Sequence, residues 1–169
     1  MRDEIHQFID KLHDEELHKM YWIETIMHNQ IQFKKNLEHK GVLISVLSDA
    51  NDESEKIINR WDNTFAQNVC DVIREAIHYD QFRWHIFSYE QQACLMGEEA
   101  RTAFDDIAKD VIYVMYQRSP EVYMYKNAKD LTADIFDHEQ DIYLFDREFT
   151  WTYVNTHESM CGPYFYKVK

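Results

Sequence analysis

The chain has 169 residues, of which 45% are hydrophobic and 15% aromatic, and it contains only three glycines and two prolines. This composition supports a packed core and excludes disordered, collagen-like and linker-type chains. Lys and Arg total 18 against 31 Asp and Glu, a formal net charge of −13, which argues against nucleic-acid binding because affinity for phosphates comes from basic side chains.

The same charge favours a basic protein surface as the partner. Residues 1–40 hold 8 acids and 6 bases, a net charge of −2, whereas residues 41–169 hold 23 acids and 12 bases, a net charge of −11. Residues 130–148 alone hold seven acids and one base. We therefore expect a basic partner to dock first on that segment.

The cysteines and the N-terminus indicate a reducing compartment. Cys70, Cys94 and Cys161 are an odd number without a CxxC pair, which supports neither a disulfide framework nor a zinc site. The N-terminal sequence MRDEIHQFID has no apolar signal core, and no apolar run is long enough to span a bilayer. We expect a cytoplasmic protein without membrane association, metal or cofactor.

Residues 1–40 predict a helical hairpin. Apolar residues recur at helical spacing up to Leu12 and again from Leu17, and Asp14 between them is a candidate helix cap. The pattern predicts a short helix, a tight turn and a longer helix to about residue 38. The Glu15–His18 pair has di-iron spacing, but a di-iron bundle needs a second such pair and two more glutamates on facing helices, and the rest of the chain is too rich in predicted strands, so a solvated polar face is the better interpretation. The sequence leaves open whether this hairpin packs on the rest of the chain or forms a homo-oligomer.

Residues 41–169 predict a second, α+β domain. In chain order we expect a strand over 42–47, a helix opened by a capping box of Asp52 and Glu55, and an alternating strand over 82–89. A helix from Gly97, a hairpin of VIYVMY and VYMYK, a short helix over 130–138 and strands over 142–145 and 149–156 follow. These elements sum to a mostly antiparallel sheet with helices packed on one face.

The closing stretch FTWTYVNTHE, residues 149–158, holds the first candidate site. Strand alternation places Asn155 and His157 on one face at the strand end, where Glu158 follows. Histidine acts as acid, base or ligand near neutral pH. The structural alternative is a histidine that is hydrogen-bonded to fix the turn before Gly162-Pro163.

The sequence WHIFSY, residues 84–89, is the second candidate cluster. If its strand neighbours the 149–156 strand, His85 and Ser88 approach His157 and Glu158 in a polar pocket walled by aromatic rings. The candidate ligand- or partner-binding residues are Trp84, His85, Ser88, Tyr89, Asn155, His157, Glu158 and Tyr164.

Four motifs in order, WHIFSY, GEEA, FTWTYVNTHE and GPYF, resemble a family of small, functionally uncharacterised bacterial proteins found mainly in Bacillus and its relatives. The resemblance runs from about residue 42 to the end of the chain. It implies the extent of the domain and a bacterial cytoplasmic origin, and it supplies no activity.

Familiar catalytic signatures are absent: the chain has no Walker loop and no GxGxxG, HExxH or GxSxG motif. No catalytic residue is assigned, and a non-enzymatic role is favoured. Our leading hypothesis is an acidic cytoplasmic protein-binding protein, of immunity, antitoxin or phage-encoded inhibitor type, that occupies the surface of a basic partner. The alternative is a small-molecule-binding protein or hydrolase that uses His85, Ser88, His157 and Glu158.

Overall fold

The chain divides into two units, Met1–Lys40 and Gly41–Lys169, in a computed structural model that describes residues 8–47 and 52–168. The first unit contains one long helix, α1 (Asp14–His39). It begins in a capping box: the backbone N–H of His13 donates to Glu16 Oε2 at 2.9 Å, and three acids occupy the first turn. His13 rather than Asp14 is thus the cap. The shorter helix of the predicted hairpin lies mostly outside the described residues.

The second unit is built on a seven-stranded sheet with the strand order β1-β4-β3-β5-β6-β7-β2. All of its strand pairs are antiparallel. The strands are β1 (Leu43–Val46), β2 (Leu95–Met96), β3 (Val111–Tyr116), β4 (Val122–Lys126), β5 (Ile142–Asp146), β6 (Trp151–Asn155) and β7 (Tyr164–Lys167). The predicted α+β class is confirmed.

Three helices contribute to the core on one face of the sheet: α2 (Glu53–Phe65), α3 (Asp71–Ala76) and α4 (His85–Ser88). Trp61 of α2 is fully buried and packs edge-on against Tyr143 with ring centroids 5.3 Å apart. Its indole Nε1 donates to Thr152 Oγ1 at 3.1 Å. The buried indole donor is therefore satisfied, as an apolar core requires.

The other face of the sheet is covered as well. Phe104 of α5 (Gly97–Asp106) packs against Tyr153 at 4.4 Å between ring centroids and against Phe136 of a 3₁₀ helix (Ala133–Phe136) at 5.9 Å. The prediction of helices on one face therefore describes three of these helices, while α5 lies on the opposite side. The sequence of β5, IYLFD, is consistent with this because a strand buried on both faces is a continuous apolar run.

Three other local predictions differ from the structure. The strand predicted over residues 82–89 is wrong: residues 85–88 form the single helical turn α4, since a short apolar run does not distinguish strand from helix. The predicted helix over 130–138 is reduced to the 3₁₀ helix. Asp52 precedes α2 with φ 52° and makes no side-chain cap hydrogen bond, so the predicted capping box with Glu55 is absent.

Within residues 8–47 and 52–168, no helix has the length and apolarity needed to cross a bilayer.

Candidate functional site

The candidate site is organised around the contact between His157 and Asp141. Antiparallel pairing of β5 with β6 sets Ile142 opposite Asn155, so the residues just outside these strands meet. His157 Nδ1 lies 2.8 Å from Asp141 Oδ1 and 3.0 Å from Oδ2. Because a carboxylate only accepts hydrogen bonds, the ring proton is held on Nδ1, and Nε2 of the neutral ring is left as an acceptor.

Trp84 anchors the same carboxylate to α4. The Trp84 indole Nε1 donates to Asp141 Oδ1 at 3.0 Å, and its backbone N–H donates to Tyr143 Oη at 3.2 Å. Asp141 has φ 51°, a left-handed conformation that aspartate tolerates better than most residues. The Asp141 carboxylate thus joins α4, β5 and the end of β6 in one fixed arrangement.

Four rings form a continuous row, which we call the aromatic strip: Phe82, His85, Tyr89 and His157. Ring centroids are 4.9 Å apart for Phe82 and His157, 5.3 Å for Phe82 and His85, and 5.3 Å for His85 and Tyr89. Tyr89 is 49% exposed, whereas Trp84 is buried and contacts the ring of His85 at 4.4 Å. The buried indole therefore supports a strip whose far end, Tyr89, is open to solvent.

A polar cleft of about 310 Å³ lies next to His157. Its lining residues are Asp137, His138, Gln140, Asn155, Thr156, His157, Glu158, Ser159, Cys161, Gly162 and Pro163. Two exposed carboxylates line this cleft: Asp137, which pairs with Arg101, and Glu158, whose Oε1 lies 3.9 Å from His157 Nε2. Asn155 has a structural role, because its Nδ2 donates to the backbone oxygens of Phe136 at 2.9 Å and Glu139 at 2.8 Å.

The predicted residues thus separate into three groups. Trp84, His85, Tyr89 and His157 meet in or beneath the aromatic strip, and Asn155, His157 and Glu158 line the cleft. Ser88 and Tyr164 belong to neither set of contacts. Ser88 Oγ is buried and has no hydrogen-bond partner among the described residues, so it is not hydrogen-bonded to a histidine. Tyr164 is a core residue that stacks on Phe87 at 5.5 Å, and burial raises the pKa of its hydroxyl.

The acidic segment predicted to dock a partner makes many internal contacts. Arg101 makes a bidentate pair with Asp137 at 2.5 and 3.1 Å, and the Tyr116 hydroxyl donates to buried Glu139 at 2.5 Å. Of the seven acids in residues 130–148, five accept intramolecular side-chain hydrogen bonds. They are Asp134, Asp137, Glu139, Asp141 and Asp146. Much of this charge therefore stabilises the fold itself.

Sequence reasoning missed Asp141, although a signal for it was present. The residue comes directly before an apolar strand that is joined to the next strand by a short connection, so it must lie near the end of that next strand. Among the described residues, no group of three or more His, Cys, Asp or Glu side chains is arranged to hold a metal ion.

A family model described as "Domain of unknown function (DUF4275)" matches residues 31–165. The match begins inside α1 and ends inside β7, so it includes the whole candidate site. No curated protein and no solved structure matches the chain.

Proposed function

The chain belongs to the DUF4275 family, a domain of unknown function, and from its site and charge we propose that it is an acidic protein-binding protein. It acts in a bacterial cytoplasm by occupying the surface of a basic partner, in the manner of an immunity protein, an antitoxin or a phage-encoded inhibitor. The observation that carries this proposal is the aromatic strip, which runs from exposed Tyr89 to His157 and ends beside the Glu158 carboxylate.

The make-up of the strip is that of a binding hot spot. Tyr89, which is 49% exposed, is the ring of the strip best suited to a partner, because tyrosine adds large contact area with few rotatable bonds. Trp84 is held by Asp141 and Tyr143, and His157 by Asp141. Since the His157 ring and its buried support Trp84 are already ordered before a partner arrives, binding costs little additional side-chain entropy at this end of the strip.

The Glu158 carboxylate at the end of the strip favours a cationic partner group. A lysine or arginine side chain can stack on the rings while its charge pairs with Glu158, which is 50% exposed. The protein's own Arg118 lies 5.9 Å from the centroid of Phe82, which is the same kind of contact. The docking surface is then the strip rather than residues 130–148, because five of the seven acids in that segment accept internal hydrogen bonds.

The test is partner capture from the native host by the immobilised full chain and by matched variants. Tyr89→Ala removes the exposed ring of the strip, and Tyr21→Ala removes an exposed ring of α1 as its control. Glu158→Lys is matched by Glu99→Lys on α5, another exposed glutamate. We expect one partner to be retained by wild type and both controls and lost by Tyr89→Ala and Glu158→Lys. Equal capture by all five proteins, or capture of no protein by wild type, would overturn the proposal.

A second candidate function is supported by the orientation of His157. Asp141 holds the Nδ1 proton, so the other nitrogen can accept a proton beside a polar cleft of about 310 Å³, as a general base requires. On this alternative the chain binds or hydrolyses a small molecule, with His157 activating water. Ser88 is not the nucleophile of this scheme, because its hydroxyl is not hydrogen-bonded to a histidine.

Hydrolysis of p-nitrophenyl acetate tests this second function. His157→Ala should lower the protein-dependent rate by at least about 100-fold if the ring is the base, whereas His138→Ala, which changes another histidine of the same cleft, should leave it unchanged. A rate in the wild type that equals the rate in buffer eliminates hydrolysis of this ester class. Equal rates in the two variants eliminate His157 as the base.

A further inference from the structure

Helix α1 exposes a row of apolar side chains along one face, which we call the α1 stripe: Met20, Ile23, Met27 and Ile31. Their spacing of three, four and four residues places them on one side of the helix. Each is between 40% and 57% exposed, and with Glu24 and His28 they line a shallow groove of about 420 Å³. A contiguous apolar row of this kind is typical of an interaction surface.

The charges along α1 identify what covers this stripe. Residues 14–24 hold four acids and one base, a net charge of −3, whereas residues 25–40 hold one acid and three bases, a net charge of +2. A second α1 in the antiparallel direction brings each acidic half against a basic half. A parallel arrangement would bring like charges together, which is destabilising.

We propose that the α1 stripe is the interface of an antiparallel homodimer of this chain. A two-fold axis near residue 25 sets Ile23 beside the partner's Met27 and, by the same symmetry, Met27 beside the partner's Ile23. The same axis sets Glu16 beside the partner's Lys34, each about one turn beyond an end of the stripe and on the same side of the helix. One register thus satisfies both the apolar contacts and the charge pairing.

The length of the stripe sets the expected strength of the dimer. Residues 20–31 rise about 17 Å along the helix axis, roughly three turns. Two helices in contact over three turns bury less area than a standard stable interface, so the dimer is of the weak, reversible class. We therefore expect a dissociation constant in the micromolar range, which corresponds to about −8 kcal/mol.

Sedimentation equilibrium of the full chain over a wide concentration range tests the interface. Met27→Glu places a charge in the stripe and should raise the dissociation constant at least about tenfold. Asn29→Glu adds the same charge to an exposed position on the opposite side of α1 and should change it little. A monomeric wild type at every concentration, or equal effects of the two variants, would overturn the proposal.

A charge exchange tests the antiparallel register. Glu16→Lys should weaken the dimer, and adding Lys34→Glu to it should restore the dissociation constant. Glu16 also accepts the capping hydrogen bond from His13, so circular dichroism must show that α1 is retained in both variants. If Lys34→Glu gives no recovery, this register is wrong. If Met27→Glu instead lowers the urea midpoint of a monomeric protein, the stripe is covered within one chain and the dimer fails.

Discussion

Replacement of Asp141 tests the contact that builds the candidate site. Its carboxylate accepts hydrogen bonds from the buried Trp84 indole at 3.0 Å and from the His157 ring at 2.8 Å. Without this acceptor the indole N–H is left unpaired, which costs about 1–3 kcal/mol, whereas the part-exposed His157 ring can turn to water. Asp141 also has φ 51°, so glycine recovers about 1 kcal/mol of backbone strain that alanine retains.

These contributions predict an order of stability rather than one number. Asp141→Asn keeps a neutral acceptor and should lose about 1 kcal/mol, Asp141→Gly about 1–2 kcal/mol, and Asp141→Ala about 2–3 kcal/mol. Urea unfolding followed by tryptophan fluorescence measures the differences, provided that the denaturant slope is unchanged. Asp110→Ala, at an exposed aspartate, is the control and should stay within about 0.5 kcal/mol of wild type. An Asp141→Gly protein as stable as wild type would refute the stabilising role of the carboxylate.

Three further predictions concern Tyr116, the cysteines and Gly162. Burial raises the pKa of Tyr116. The neutral hydroxyl therefore stabilises the fold below the unfolded-state pKa of about 10, and this stability is lost at higher pH by about 1.4 kcal/mol per pH unit. Tyr116→Phe should flatten the fall of the urea midpoint above pH ~10, and an unchanged slope would contradict this. Burial raises the pKa of Cys94 to about 11, so at neutral pH exposed Cys70 should react first with a thiol reagent, and a fast phase that persists in Cys70→Ser would count against it. Gly162 has φ 90°, and an added Cβ would lie 3.2 Å from a ring carbon of Tyr164. Gly162→Ala should therefore destabilise the protein more than Gly41→Ala, because Gly41 has a similar φ of 91° but no atom within 4 Å of an added Cβ. Equal losses of stability would show that the Tyr164 ring moves to make room.

The local parts of the fold could be predicted because their signals are local. The hairpin of β3 and β4 is set by a turn-forming connection between two apolar runs, and the structure pairs Val111 with Lys126 as such a hairpin requires. The 82–89 segment could not be assigned by the same reasoning. Its alternation matches a strand, yet Trp84, Ile86 and Phe87 are all buried in a helical turn. Because side chains are buried on both sides of this segment, its sequence lacks the periodicity that distinguishes a strand from a helix.

The candidate site was predicted only in part, because some of its residues follow from one segment and others depend on how two strands pair. The end of the strand at His157 can be read from one segment, whereas its partner Asp141 depends on the register of β5 against β6. That register is fixed by the connection between the two strands, in which Asp146 accepts hydrogen bonds from the backbone N–H of Thr150 at 2.6 Å and Trp151 at 3.1 Å, so it requires the geometry of the turn as well as the pattern of each strand. Side-chain alternation alone does not determine which residues of two strands stand opposite each other.

The net charge and the aromatic strip should act on different rate constants of the proposed complex. Long-range steering depends on the total charge of −13, which internal hydrogen bonds do not remove, so added salt should slow association while leaving dissociation nearly constant. Tyr89→Ala removes a close contact without changing charge, so it should speed dissociation and leave association unchanged. Surface plasmon resonance with the captured partner, at several salt concentrations, separates the two effects. The opposite result, in which Tyr89→Ala slows association and added salt speeds dissociation, would contradict this assignment. The acidic surface would then hold the partner, and the strip would be a structural feature of the core.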